Sequence, residues 1–202
     1  MTVLKGGKMG SLSGAMGNIV LVSYGNTTYL RSMPTYSKNS WTPKQVQSRK
    51  RFAIVTQFCM AHKRNVIVPI WNLLPGNACG YSQFLGANIK AFDSLGNIKD
   101  HGLLHFSEGF LEPPSHVATV KEGELLTVSW TNDPNTAAAR LKDGLLYMAL
   151  SGDKVSGPFT TGLTRCMMGG EFTLPDSSAR ALYLFFAAPD RKAFSSDRYV
   201  TF

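Results

Sequence analysis

The first 92 residues contain eleven lysines and arginines and not one aspartate or glutamate. A stretch of this kind cannot neutralise its cations within itself, so whatever it folds into must present them to water, counterions or an acidic partner. Residues 93–202 carry ten basic and thirteen acidic side chains, so the formal excess of +8 arises wholly from the first part. Two anionic neighbours fit: nucleic acid, and the mildly acidic second half of a neighbouring copy. A solvated basic surface that only aids solubility is the plain alternative.

The remaining composition is that of a folded chain, with 44% hydrophobic and 17% charged residues. Its 202 residues suit two small cores better than one large one. The longest apolar stretch, Val66 to Leu74, is interrupted by Pro69 and Asn72. It is far below the ~20 residues that span a bilayer, so no membrane span is expected. The start, Met1-Thr2-Val3-Leu4-Lys5-Gly6-Gly7, lacks the apolar segment of a secretory signal. Cys59, Cys79 and Cys166 are far apart and odd in number, which points to reduced thiols. A cytoplasmic protein, or part of a particle assembled in the cytoplasm, is the expected setting, with Cys59 in a core.

Local signals divide the chain into a basic region over 1–95, a linker over 96–114 and a β-rich region over 115–202. Gly6, Gly7, Gly10, Gly14 and Gly17 at the start read as flexible or closely packed backbone. Ile19 to Tyr24 and Thr27 to Ser32, rich in β-branched and aromatic residues, flank Gly25-Asn26, a dipeptide suited to a two-residue hairpin turn. Thr42-Pro43-Lys44-Gln45 combines a capping threonine, a proline at the first helical position and a glutamine completing a capping box. A helix is therefore predicted from Pro43 to about His62, with Phe52, Val55, Phe58 and Cys59 on one side and Lys50, Gln57 and Arg64 on the other. Pro69 should kink or end a second apolar segment, Pro75-Gly76-Asn77 should turn, and a third helix should run from about Ser82 through Phe92.

From Leu103 onward short β-like runs alternate with turn residues: 117–120, 125–130, 145–150, 171–174, 181–188 and 198–202. Such spacing argues for an antiparallel sandwich. Leu126-Thr127-Val128-Ser129-Trp130 resembles the second strand of a fibronectin type III or other immunoglobulin-like domain, with Trp130 as the core aromatic. Ala181-Leu182-Tyr183-Leu184-Phe185-Phe186 resembles the penultimate strand, with Tyr183 at the tyrosine position. The expected fold class is thus α+β, a hairpin and two or three helices followed by an immunoglobulin-like β-sandwich. The whole chain also resembles an uncharacterised family of short basic proteins from Bacteroidota-type bacteria. That likeness rests on Gly10-Ser11-Leu12-Ser13-Gly14-Ala15-Met16-Gly17-Asn18-Ile19-Val20, Tyr29-Leu30-Arg31-Ser32-Met33-Pro34, Thr42-Pro43-Lys44-Gln45 and Arg51-Phe52-Ala53. It implies no activity.

No cofactor, metal or catalytic residue is expected. Gly7-Lys8-Met9 breaks the phosphate-loop pattern, and no Gly-x-Ser-x-Gly elbow occurs. His101 and His105 are four apart, but Gly102 between them and the lack of helical context favour ordinary histidines over metal ligands. Lys44, Arg49, Lys50, Arg51, Lys63 and Arg64, near Trp41, Tyr36 and Tyr24, offer phosphate contacts and stacking surfaces. They are the candidate polyanion-binding residues, although no helix-turn-helix, zinc-finger or RNA-recognition signature accompanies them. The leading expectation is a non-enzymatic structural or assembly protein, of particle or phage type, working through subunit contacts as a homo-oligomer. The alternative is a sequence-tolerant nucleic-acid-binding protein.

Overall fold

A computed structural model of the chain describes residues 2–4, 14–24, 27–35, 41–76 and 78–202. It divides into two compact units, Met1–Pro43 and Lys44–Phe202. The boundary read from sequence near residue 95 falls inside the second unit.

The first unit is a four-stranded antiparallel sheet of β1 (Thr2–Leu4), β2 (Gly14–Met16), β3 (Ile19–Tyr24) and β4 (Thr27–Ser32), in the order β1-β4-β3-β2. The anticipated pair is β3 and β4, whose register runs from Ile19↔Ser32 to Tyr24↔Thr27; the expected turn residues Gly25 and Asn26 lie outside the described residues. Part of the glycine-rich start is itself a strand. β2 folds back on β3 through Gly17-Asn18, where Gly17 takes φ +57°, a left-handed conformation that costs a glycine little. The other early glycines, Gly6, Gly7 and Gly10, lie outside the described residues, as does Gly7-Lys8-Met9.

The second unit opens with α1 (Pro43–Ala61) and continues through a π-turn (Lys63–Ile67), a 3-10 turn (Trp71–Leu73) and α2 (Gly80–Asn88) extended by a 3-10 turn (Ile89–Ala91). The segment around Pro69 is thus two short turns, because the ring cannot donate to a continuing helix ladder. Asn77 of the expected turn lies outside the described residues.

Seven strands follow: β5 (Ser115–Glu122), β6 (Leu125–Thr131), β7 (Gly144–Ser151), β8 (Lys154–Thr164), β9 (Gly169–Thr173), β10 (Ala179–Ala187) and β11 (Arg198–Thr201). They form two antiparallel sheets, β5-β6-β9 and β11-β10-β7-β8, with the first, second and fifth strands of the seven on one sheet. This is an immunoglobulin-like sandwich. The expected strands at β6 and β10 are the second and the penultimate. β8 has no counterpart in the sequence reading, since Gly157 and Pro158 sit in its middle; it is a sheet edge with shifts in register, where such residues are tolerated.

The four-stranded sheet is covered on both faces. On one side Leu145, Tyr147, Ala149, Leu182, Leu184 and Phe186 pack with Leu126, Val128, Trp130 and Phe172 of the three-stranded sheet. On the other, Leu146, Met148, Leu150, Tyr183, Phe185 and Ala187 pack with Val55, Cys59, Ile67, Trp71 and Phe84 of the helical segment. Alternate residues of a strand point to opposite faces, so one strand can serve two cores only if nearly all its residues are apolar. β10 meets that demand: of its nine residues only Arg180 is not buried. Trp130 is buried as expected and meets Phe186 edge-on at 5.7 Å.

Tyr183 lies on the penultimate strand, β10. It faces the helical layer, and its hydroxyl donates to His101 O at 2.7 Å, tying the strand to the layer above it. The segment 104–107 is fixed between layer and sheet by further polar contacts. Asn88 donates from Nδ2 to His105 O (2.9 Å) and Phe84 O (3.0 Å), and its Oδ1 accepts from His105 N (2.9 Å). Trp71 Nε1 donates to Phe106 O at 3.0 Å.

Buried side chains with such duties should be costly to lose. Leu184→Ala, at a fully buried position, should destabilise by about 2–5 kcal/mol. Asn88→Ala should cost about 2–3 kcal/mol by stranding backbone groups of His105. Leu125→Ala, at a 39% exposed position, should stay within about 1 kcal/mol of the parent. Urea unfolding of the three variants would check this order, and equal losses at positions 184 and 125 would contradict the two-core account.

Candidate interaction surfaces and buried polar contacts

The six candidate cations lie at the head and the tail of α1. Lys44, Arg49 and Lys50 are exposed and Arg51 is half-buried on α1; Lys63 and Arg64 are exposed on the π-turn beyond it. At about 100° per residue, Arg49, Lys50 and Arg51 fan around the helix, while Lys44 and Arg51 share a side. They form a collar around the helix. Every residue from Trp41 to Lys50 is exposed, so the first two turns of α1 run clear of the core that begins at Ile54 and Val55. Phe52 is therefore 51% exposed although it lies on the side predicted for it. It sits nearly two turns ahead of Cys59 on the same flank, before the covering residues begin. Trp41 is also exposed; Tyr36 lies outside the described residues, and Tyr24 is described only as part of β3.

The sheet of the first unit carries apolar residues on both faces. Val20, Val22, Tyr29 and Arg31 are on one, with Val20 opposite Arg31 and Val22 opposite Tyr29; Met16, Ile19, Leu21 and Leu30 are on the other. None of the described side chains of 14–35 is buried; Met16 is 82% and Ile19 50% exposed.

His101 and His105 have separate partners. His101 Nε2 stands 3.6 Å from Asp153 Oδ1, whereas His105 Nδ1 bonds Asp197 Oδ1 at 3.0 Å. Asp197 Oδ2 also accepts from Phe106 N at 2.7 Å. Among the described residues no group of three His, Cys, Asp or Glu side chains is placed to hold a metal ion. Nearby serines bond elsewhere: Ser107 Oγ donates to Ser195 O, Ser195 Oγ accepts from Phe186 N, and Ser196 Oγ donates to Glu108 Oε1.

A buried pair went unforeseen. Arg165 and Asp143 are 2% and 0% exposed, with Nε and Oδ2 3.6 Å apart. The guanidinium lies over the Phe186 ring at 3.9 Å and donates from Nη2 to Glu112 O at 2.8 Å. Burial pushes the Asp143 carboxyl up and the Arg165 guanidinium down, each opposed by the other's charge. Arg165 also lines a cleft of about 370 Å³ with Phe110, Glu112, Asn135 and Arg140. Nothing in the local sequence marks Arg165 as buried, because the pair is made only when 143 and 165 meet across the fold. Cys59 is in the core as expected, and burial pushes its thiol up to about 11.

Comparison with protein-family models, curated proteins and solved structures finds no match to this chain. No helix among the described residues is long and apolar enough to cross a membrane.

Two of the partly buried histidines, His105 and His62, are shifted in opposite senses. The hydrogen bond to Asp197 raises His105 above its ordinary value against the effect of burial, with the charges of Asp197 and Glu108 adding to the rise. Burial lowers His62, against its bond to Phe58 O. A raised histidine stabilises the fold fully below its unfolded value near 6.5 and ceases to do so as pH climbs through its higher folded value. His62 works the other way, and it cancels when the parent is compared with His105→Asn. The parent's stability advantage over His105→Asn should therefore be larger at about pH 5.5 than at about pH 8. Urea melts at the two pH values read this directly, and an unchanged difference would show that the Asp197 contact does not favour the imidazolium.

Proposed function

We propose that the chain is a non-enzymatic structural or assembly protein, of the kind that builds a particle, acting through contacts between subunits. The observation that carries this reading is the first unit: a four-stranded sheet apolar on both faces, with none of the described side chains of 14–35 buried. A lone sheet needs a covered hydrophobic face to be stable in water. Large uncovered apolar surface on a folded chain commonly marks a contact site. The exposed early turns of α1, with Val46 and Phe52, extend the same character into the second unit.

Size-exclusion chromatography with light scattering on the full chain should give a multiple of the monomer mass at low salt and high concentration. Val20→Ser combined with Val22→Ser should weaken the association about tenfold or more. A parent that stays monomeric throughout would dismiss the reading.

A second reading has its own support in the exposed cations on α1 and the π-turn. Lys44, Arg49, Lys50, Arg51, Lys63 and Arg64 would contact phosphates of a nucleic acid without regard to sequence. Binding should then fall steeply with salt, and neutralising Arg49, Lys50 and Arg51 together should lower the log–log salt slope by about 2–3. Lack of binding to single- or double-stranded DNA and RNA at low salt would remove this alternative.

A further inference from the structure

The outer face of the β5-β6-β9 sheet carries exposed residues on all three strands. Two rows cross it in register: Val120, Thr127 and Glu171 in one, Glu122, Leu125 and Thr173 in the other. All six are exposed, Val120 by 59% and Leu125 by 39%. The outward positions of the three strands include two carboxylates and no lysine or arginine. The one cation of β5, Lys121, points to the other side, where Nζ donates to Ser177 O at 2.7 Å and Ala179 O at 2.6 Å. The face is thus partly apolar and acidic.

The first unit supplies the complement. Its 43 residues hold Lys5, Lys8, Arg31 and Lys38 with no carboxylate, and Arg31 stands exposed on the sheet face that also bears Val20, Val22 and Tyr29. We infer that this Arg31-bearing sheet face of one copy docks on the acidic β5-β6-β9 face of a second copy, with Arg31 against Glu122 and Glu171 and the valines against Val120 and Leu125. The contact rests on the assembly reading above and specifies its surfaces. Opposite charge on two different faces of one chain favours head-to-tail pairing and disfavours pairing of like faces. Repetition of such a contact closes into a ring or grows as an open array.

Charge reversal on the full chain tests it by light scattering. Arg31→Glu alone, and Glu122→Lys with Glu171→Lys, should each lower self-association at least tenfold, and mixing the two variants should restore association because intact faces then meet. Thr127→Arg, which places a bulky cation mid-face, should do the same as the double reversal. Circular dichroism of each variant identifies any that fails to fold, and the remaining variants then decide. A parent that assembles while the Glu122/Glu171 and Thr127 variants assemble equally well overturns these surfaces and leaves the assembly reading standing. A monomeric parent overturns both.

Discussion

Everything in the second unit depends on β10 being apolar on both of its faces. Eight of its nine residues are buried, and they alternate between the core shared with the three-stranded sheet and the core shared with the helical segment. A strand that fed only one core would carry polar residues at every other position. The fold therefore has three layers, helices, a four-stranded sheet and a three-stranded sheet, and its middle layer has no face exposed to water. Several of the polar groups in this interior join its layers, while the indole Nε1 of Trp130 is buried without a hydrogen-bond partner among the described residues. Asn88, Trp71 and Tyr183 each satisfy a backbone carbonyl across layers, and Arg165 is held between Asp143, the Phe186 ring and the Glu112 carbonyl.

What the sequence disclosed and what it withheld follow from the range of the interactions involved. The hairpin, the start of α1 and most sandwich strands are written in local chemistry: alternation of β-branched residues, and a Thr-Pro-x-Gln start. β2 and β8 were hidden because glycine and proline, which usually interrupt strands, are tolerated in the sheet edges that these two form. The double burial of β10 was present as an unbroken apolar run, yet such a run does not say what lies on each side. Phe52 lies on its predicted side and is still exposed, because helical periodicity assigns a side without saying how far along the helix the covering layer extends.

The candidate cations were visible as residues, and all but Arg51 are exposed, but their distribution around α1 was not visible. Counting charge along the chain merges Lys44 with Arg64, whereas the helix separates them in height and angle. The Asp143–Arg165 and His105–Asp197 pairs join residues 22 and 92 positions apart, beyond the reach of any motif. The outer acidic face of the three-stranded sheet was likewise invisible until the register set Glu171 beside Thr127 and Val120.

The strap at 104–107, held by Asn88 and Trp71 on one side and by Asp197 and Ser195 on the other, has a consequence for how this chain can change. An ordinary immunoglobulin-like sandwich can be moved between proteins as a portable module, because its outer faces are already fit for water. Here a fragment beginning at Ser115 would uncover Tyr183, Phe185, Met148 and Leu150 together, a greasy plate across the whole middle sheet. Sandwich and helices are thus bound to be inherited as one piece, and a substitution beneath the helices calls for its answer some 100 residues away in the chain.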